Sequence, residues 1–204
     1  MRRIFRYSHI QRISVGITIF IIISTLTQLS LLPQASSQAT EPLALVVTPA
    51  PSTVPADGSE YPIVVIQIQN STGFPTPAPL DTNIVLSSSK REVGDVERTI
   101  TIPKGTSYSI AKFRPTTTPG TTTITAAATG FTIGVSEVVT IDPSSSPMKL
   151  VVELGPKQLL PELGAKGTVV VQLQDANGVL ARASDDILVA LSSSHPSIAT
   201  VDSS

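Results

Sequence analysis

Tyr61–Asn70 reads YPIVVIQIQN. On an extended chain Val64, Ile66, Ile68 and Asn70 fall to one side and Val65, Gln67 and Gln69 to the other, the period-two alternation of a strand with one face toward a core. Ile66 and Ile68 are therefore the core-facing pair, and Gln67 belongs to the outer face. The pattern returns at an offset of 105 as VVVQLQD, Val169–Asp175. The register runs on without a gap from NSTGFPTPAPLDTNIVLSSS (Asn70–Ser89) into DANGVLARASDDILVALSSS (Asp175–Ser194). Such a period is too long for a solenoid repeat and suits a β-sandwich unit of roughly 100 residues. Two copies of one domain are present.

Upstream of that strand, Ala44–Pro49 (ALVVTP) is the opening strand and Met148–Glu153 (MKLVVE) its counterpart. Between opening and second strand, Asp57-Gly58 turns the chain. Downstream, Gly73 and Gly178 mark tight turns, with Asn177-Gly178 the stronger signal. Pro75, Pro77 and Pro79 keep the next connection out of a central strand, and Asn83–Ser88 resumes the sheet, with Leu188–Ser193 as its copy. Val96–Ile102 and Tyr108–Phe113 flank Lys104-Gly105, for which a hairpin is the simplest connection. Thr121–Ala128 places threonines on one face and Ile124, Ala126 and Ala128 on the other, and Gly134–Ile141 closes the copy. With no helical period anywhere in this stretch, the fold class is all-β.

Asp142–Pro147 (DPSSSP) joins the copies. The first domain is placed at 40–142, the linker at 143–147 and the second domain at 148–204. So short a proline-bracketed linker leaves little freedom, and end-to-end stacking is expected. His195–Val201 aligns with Lys90–Val96, and the second copy has no counterpart of Ile100–Ile141. An uncovered inner face would expose a large apolar surface, so the chain reads as a fragment of a longer repeat protein, or as one whose missing strands another chain donates.

At the N-terminus Arg2, Arg3, Arg6 and Arg12 precede a run, Ile13–Leu32, that is almost wholly apolar or hydroxylated. Basic, apolar, then small-polar is the order of an export signal. At about 20 residues the run is also long enough to span a bilayer, so residues 1–39 read as a signal peptide cleaved after Ser37-Gln38-Ala39 or as a membrane anchor. Either way the remainder is exported, to the cell surface or beyond, and membrane contact is confined to residues 13–32. Removing four arginines and no acid from 14 basic and 15 acidic residues leaves 10 against 15. That mildly acidic balance argues against a nucleic-acid partner. The absence of cysteine from the sequence excludes thiol catalysis and cysteine–zinc sites.

The succession LVVTP, VPADGS, IVVIQIQNSTGFP, VLSSS, VGDV, PKG and PGTTTITAAATG resembles bacterial immunoglobulin-like domains of the invasin and intimin type (Big-1), which also occur on archaeal surfaces. Asn70, Gly73 and Pro75 fall on that family's Asp-x-x-Gly-x-Pro turn. Asp175 and Gly178 do so in the second copy, where Leu180 replaces the proline. Gly120-Thr121 and Ile124-Thr125-Ala126 match its late Gly-Thr-x-x-Ile-Thr-Ala strand. The resemblance covers Leu43–Ile141 and the shorter second copy. It implies tandem immunoglobulin-like β-sandwiches, the second truncated, acting as spacers or stalks and sometimes as adhesive tips.

Residues that carry chemistry are few. His9 lies in the export segment, and His195, opposite Lys90 in the repeat, is expected in an exposed loop. No Gly-x-Ser-x-Gly elbow occurs, and Ser87–Ser89 and Ser192–Ser194 read as strand ends whose hydroxyls bond nearby backbone. Asp57, Asp81, Asp95, Asp142, Asp175, Asp185 and Asp186 sit at turn positions without calcium-loop spacing. No catalytic, cofactor-binding or metal-ligating residue is assigned, and no cofactor. Asn70-Ser71-Thr72 is an acceptor sequon, making Asn70 a candidate glycosylation position. The expected partners are neighbouring repeats, cell-envelope proteins and surface glycans. Two functions fit: a non-catalytic surface or secreted spacer contributing to adhesion, and accessory domains of a larger secreted enzyme.

Overall fold

The computed structural model describes residues 43–201 apart from 145 and 162–164. The expected export segment, residues 1–39, lies outside that range. Among the described residues no helix is long and apolar enough to cross a membrane. The first copy forms β1 (Leu43–Pro49), β2 (Thr53–Pro55), β3 (Tyr61–Gln69), β4 (Thr82–Ser88), β5 (Gly94–Val96), β6 (Thr99–Ile102), β7 (Tyr108–Pro115), β8 (Gly120–Ala127), β9 (Phe131–Thr132) and β10 (Gly134–Ile141). The second forms β11 (Lys149–Gly155) and β12 (Thr168–Gln174).

The order β5-β7-β3-β1-β9 makes one five-stranded sheet and β2-β10-β8-β4-β6 another. Their inner faces meet in a single buried cluster, with Leu45, Val47, Ile66, Ile68 and Phe113 from the first sheet and Ile84, Leu86, Ile102, Ile124 and Val138 from the second. This is a β-sandwich with β3 at the centre of one layer. β3 pairs antiparallel with β1, Ile66 opposite Val47 and Ile68 opposite Leu45, and with β7 on its other side. The face assignment of Ile66 and Ile68 is thus as the alternation requires, and both are fully buried.

Four local expectations are corrected. First, Lys104-Gly105 does not close a hairpin: β6 pairs with β4 in one sheet, while β7 pairs with β3 and β5 in the other. The chain changes sheets between Val96, which pairs with Phe113, and Thr99, so Ile100 and Ile102 reach the core from the opposite layer. Second, Thr122 departs from the other threonines of β8 and lies on the buried face, where its Oγ1 accepts the Lys90 N–H at 3.0 Å. Third, the outer face of β3 is not solvated: Val65 is 1% exposed and Gln67 4%, because the second copy covers them. Fourth, Leu188–Ser193 forms no strand, and Leu188 is fully exposed. Its counterpart β4 is held between β6 and β8, and a lone extended segment without such neighbours has no partner for its backbone.

The second copy contributes the hairpin β11–β12, with Leu150 opposite Leu173 and Val152 opposite Val171. Leu150, Val152 and Leu154, on the face that corresponds to the core side of β1, are about half exposed. The opposite face meets the first copy. The copies are therefore not joined only end to end; the hairpin packs against the outside of the first sandwich.

Candidate functional site

The turn after β3 is built from one side chain. Asn70 Oδ1 accepts the backbone N–H groups of Thr72 and Phe74, both at 3.0 Å, and the Thr72 hydroxyl at 2.8 Å. The Asn70 N–H donates to the Phe74 carbonyl at 2.9 Å, and Gly73 takes φ 79°, a backbone region that costs glycine nothing. The second copy repeats the arrangement with a carboxylate: Asp175 Oδ1 accepts from Asn177 and Val179 at 2.9 Å each, and Gly178 takes φ 82°. Since Asp175 caps the loop as well as Asn70 does, the fold uses the side-chain oxygen. The amide nitrogen of Asn70, the atom to which an N-linked glycan attaches, is not part of the capping.

The other carboxylates have similar local duties. Asp57 Oδ1 accepts the Ser59 N–H at 2.9 Å, Asp81 Oδ1 the Lys104 N–H at 2.8 Å and Asp95 Oδ1 the Val96 N–H at 3.0 Å. Among the described residues no group of three or more histidine, aspartate or glutamate side chains is placed to hold a metal ion. His195 is exposed, its Nδ1 3.0 Å from the Ser194 hydroxyl, in a turn whose Ile198 N–H to His195 carbonyl bond matches that of Val93 to Lys90 in the first copy. The serine runs serve backbone as expected at Ser89, which accepts the Thr123 N–H at 2.9 Å, and at Ser193, which accepts the His195 N–H at 3.2 Å.

One ionisable pair departs from ordinary behaviour. The Tyr61 hydroxyl donates to Asp57 Oδ2 at 2.7 Å. Partial burial, together with that hydrogen bond and the negative charge of Asp57, pushes the Tyr61 phenol up to about 12. Burial opposes the charge on Asp57, but the bonds from Ser59 and Tyr61 and the nearby Arg182 outweigh it and hold the carboxyl below its ordinary value. Arg182 belongs to the second copy, so this pair sits where the two copies meet.

There the two copies frame a concave surface. A cleft of about 510 Å³ is lined by Val54, Pro55, Asp57 and Tyr61 from the first copy and by Val170, Gln172 and Arg182 from the second. Gln172 Nε2 donates to the Thr53 carbonyl at 2.7 Å, and Gln67 Nε2 donates to the Gln158 carbonyl at 2.9 Å. Gly155 lies so close to the first copy that a Cβ on it would stand 2.8 Å from Ala50 Cβ and 2.9 Å from Val65 Cγ2. These contact residues are the ones the alternation pattern missed. A clue was present in the Gln-aliphatic-Gln triplets at Gln67–Gln69 and Gln172–Gln174, kept in both copies where an outer sheet face tolerates many polar residues.

No protein-family model matches the chain, and no curated protein does. Among solved structures, domains 5–6 of the S-layer protein SbsC are similar at 17% identity with a TM-score of 0.43, covering 70% of this chain and 65% of that one. A longer SbsC structure, domains 4–9, gives the same identity and TM-score over 70% of this chain and 21% of that one. A glycosyl hydrolase family 2 member from Bacteroides cellulosilyticus is similar at 12% identity with a TM-score of 0.39, covering 50% of this chain and 14% of that one. The chain spans less than two thirds of each of these structures. With every TM-score below one half, and with a surface-layer protein and a hydrolase side by side, these likenesses carry no argument for either kind of function.

Proposed function

We propose that this chain is an exported, non-catalytic structural or spacer protein of the cell surface, built from immunoglobulin-like repeats of the invasin and intimin type. The observation that carries the reading is the use to which the polar side chains are put. Asp57, Asp81 and Asp175 each cap a turn, and Gln67 and Gln172 tie one copy to the other. Side chains spent on holding turns and repeats in place favour a mechanical role over a chemical one. Neighbouring repeats and cell-envelope proteins are the partners, with surface glycans as adhesive contacts. Asn70 is the glycan acceptor of the first copy, since its loop is capped through Oδ1 alone.

Proteolytic shaving of intact cells, followed by mass spectrometry, tests the location: peptides from residues 43–201 are expected in the released fraction, and their retention inside protected cells would count against the reading. Incubating the purified chain with polysaccharide and peptide libraries tests the rest. No turnover is expected; reproducible turnover would replace this reading with that of an accessory part of a secreted enzyme.

A further inference from the structure

The contacts between the two copies are reciprocal. Gln67 of the first copy donates to the carbonyl of residue 158, and Gln172, its equivalent at the 105-residue offset, donates to the carbonyl of Thr53, the equivalent of residue 158. Each copy gives the same hydrogen bond to the same position of the other. Ala50 and Gly155 are also equivalent, and they meet each other. A residue that contacts its own counterpart lies on a rotation axis, and a pair of residues that exchange roles lies on either side of one. These are the marks of an isologous interface, the kind formed by two identical surfaces across a two-fold axis.

We propose that the outer face of β3 together with the Ala50–Thr53 segment is a self-recognition surface, whose partner is the same surface on another repeat of this type. In this chain the two copies close on each other through a pseudo-two-fold axis beside Ala50 and Gly155. The chemistry suits such a partner. Val65 supplies apolar area, Gln67 supplies a donor, the carbonyl at Thr53 or Gln158 supplies its acceptor, and the small residue at Ala50 or Gly155 lets the two backbones approach. Because an isologous contact consumes both surfaces, it makes closed pairs and does not propagate. Repeats joined this way associate two by two, and a longer array would need a second, different contact between pairs. The inference holds whether or not the exported chain is catalytic, and its test reads no activity.

The sequence has no cysteine, so thiols can be placed at will in the full chain. Mild oxidation of Ala50→Cys/Gly155→Cys is expected to give an intramolecular disulfide, read as a linked peptide pair from monomeric protein. Free thiols after oxidation, or links only between molecules, would overturn the pairing. Since a side chain at 155 must displace Val65, a second variant keeps the question open to refutation if the first fails to fold. Val170→Lys/Gln172→Glu disables the surface of the second copy and frees that of the first. This variant is expected to double in mass in sedimentation as concentration rises, and with Ala50→Cys added, to cross-link position 50 of one molecule to position 50 of the other. A variant that remains monomeric at all concentrations would show that the surface does not recognise itself.

Discussion

Ile66 is fully buried between the two sheets, with Val47 and Ser109 paired beside it. Replacing it with alanine removes three carbons from a close-packed layer and should cost about 2–5 kcal/mol in urea unfolding. Gln67, one residue on, has a cost that depends on the second copy. In the full chain Gln67→Ala loses the hydrogen bond to the Gln158 carbonyl and its packing under the second copy, at about 0.5–1.5 kcal/mol. In a chain limited to residues 41–142 the same side chain faces water, and the cost should fall to within about 0.5 kcal/mol. Equal losses in the two chains would mean that the second copy does not cover this face. Tyr61 gives a pH signature. In the unfolded chain a tyrosine ionises near 10, whereas in the fold Tyr61 holds its proton up to about 12. Between those values the folded state binds more protons, so its stability, constant with respect to this group below about pH 10, falls as pH rises toward 12. Tyr61→Phe should flatten that part of the stability profile measured by denaturant unfolding at successive pH values.

At the scale of the element, the loop after β3 and its copy after β12 offer a comparison internal to one molecule. Asn70→Asp places in the first copy the residue that the second already uses, so the thermal midpoint should hardly move. Asn70→Ala leaves the N–H groups of Thr72 and Phe74 without their acceptor and should cost about 1 kcal/mol. If both variants destabilise equally, the amide nitrogen matters to the fold and the oxygen-only account is wrong. Strands show the opposite lesson. The alternation of exposed and buried residues along Thr99–Ile102 identifies a strand with one buried face, but not the sheet to which that face belongs. Sheet membership is settled by which neighbour offers free backbone groups, and β4 offers them to β6 while β3 has already paired with β7.

At the scale of the molecule, all members of the main buried cluster lie between Leu45 and Val138. A chain of residues 41–142 should therefore unfold cooperatively on its own, whereas residues 146–204 alone should show no cooperative transition by calorimetry, since the hairpin there leaves Leu150, Val152 and Leu154 half exposed. The reverse result would place the stabilising core elsewhere. The repeat, the all-β class, the inward pair Ile66 and Ile68 and the turns at Gly73 and Gly178 were all legible in the order of residues, because alternation and turn chemistry are local and need no distant partner. Thr122 on the buried face, the crossing of the chain between sheets at Glu97 and Arg98, and the burial of Val65 and Gln67 were not. Each depends on what stands opposite: a threonine can be buried where an N–H awaits its hydroxyl, a strand joins whichever edge is open, and an outer face becomes an interior when a second copy of the same surface closes over it.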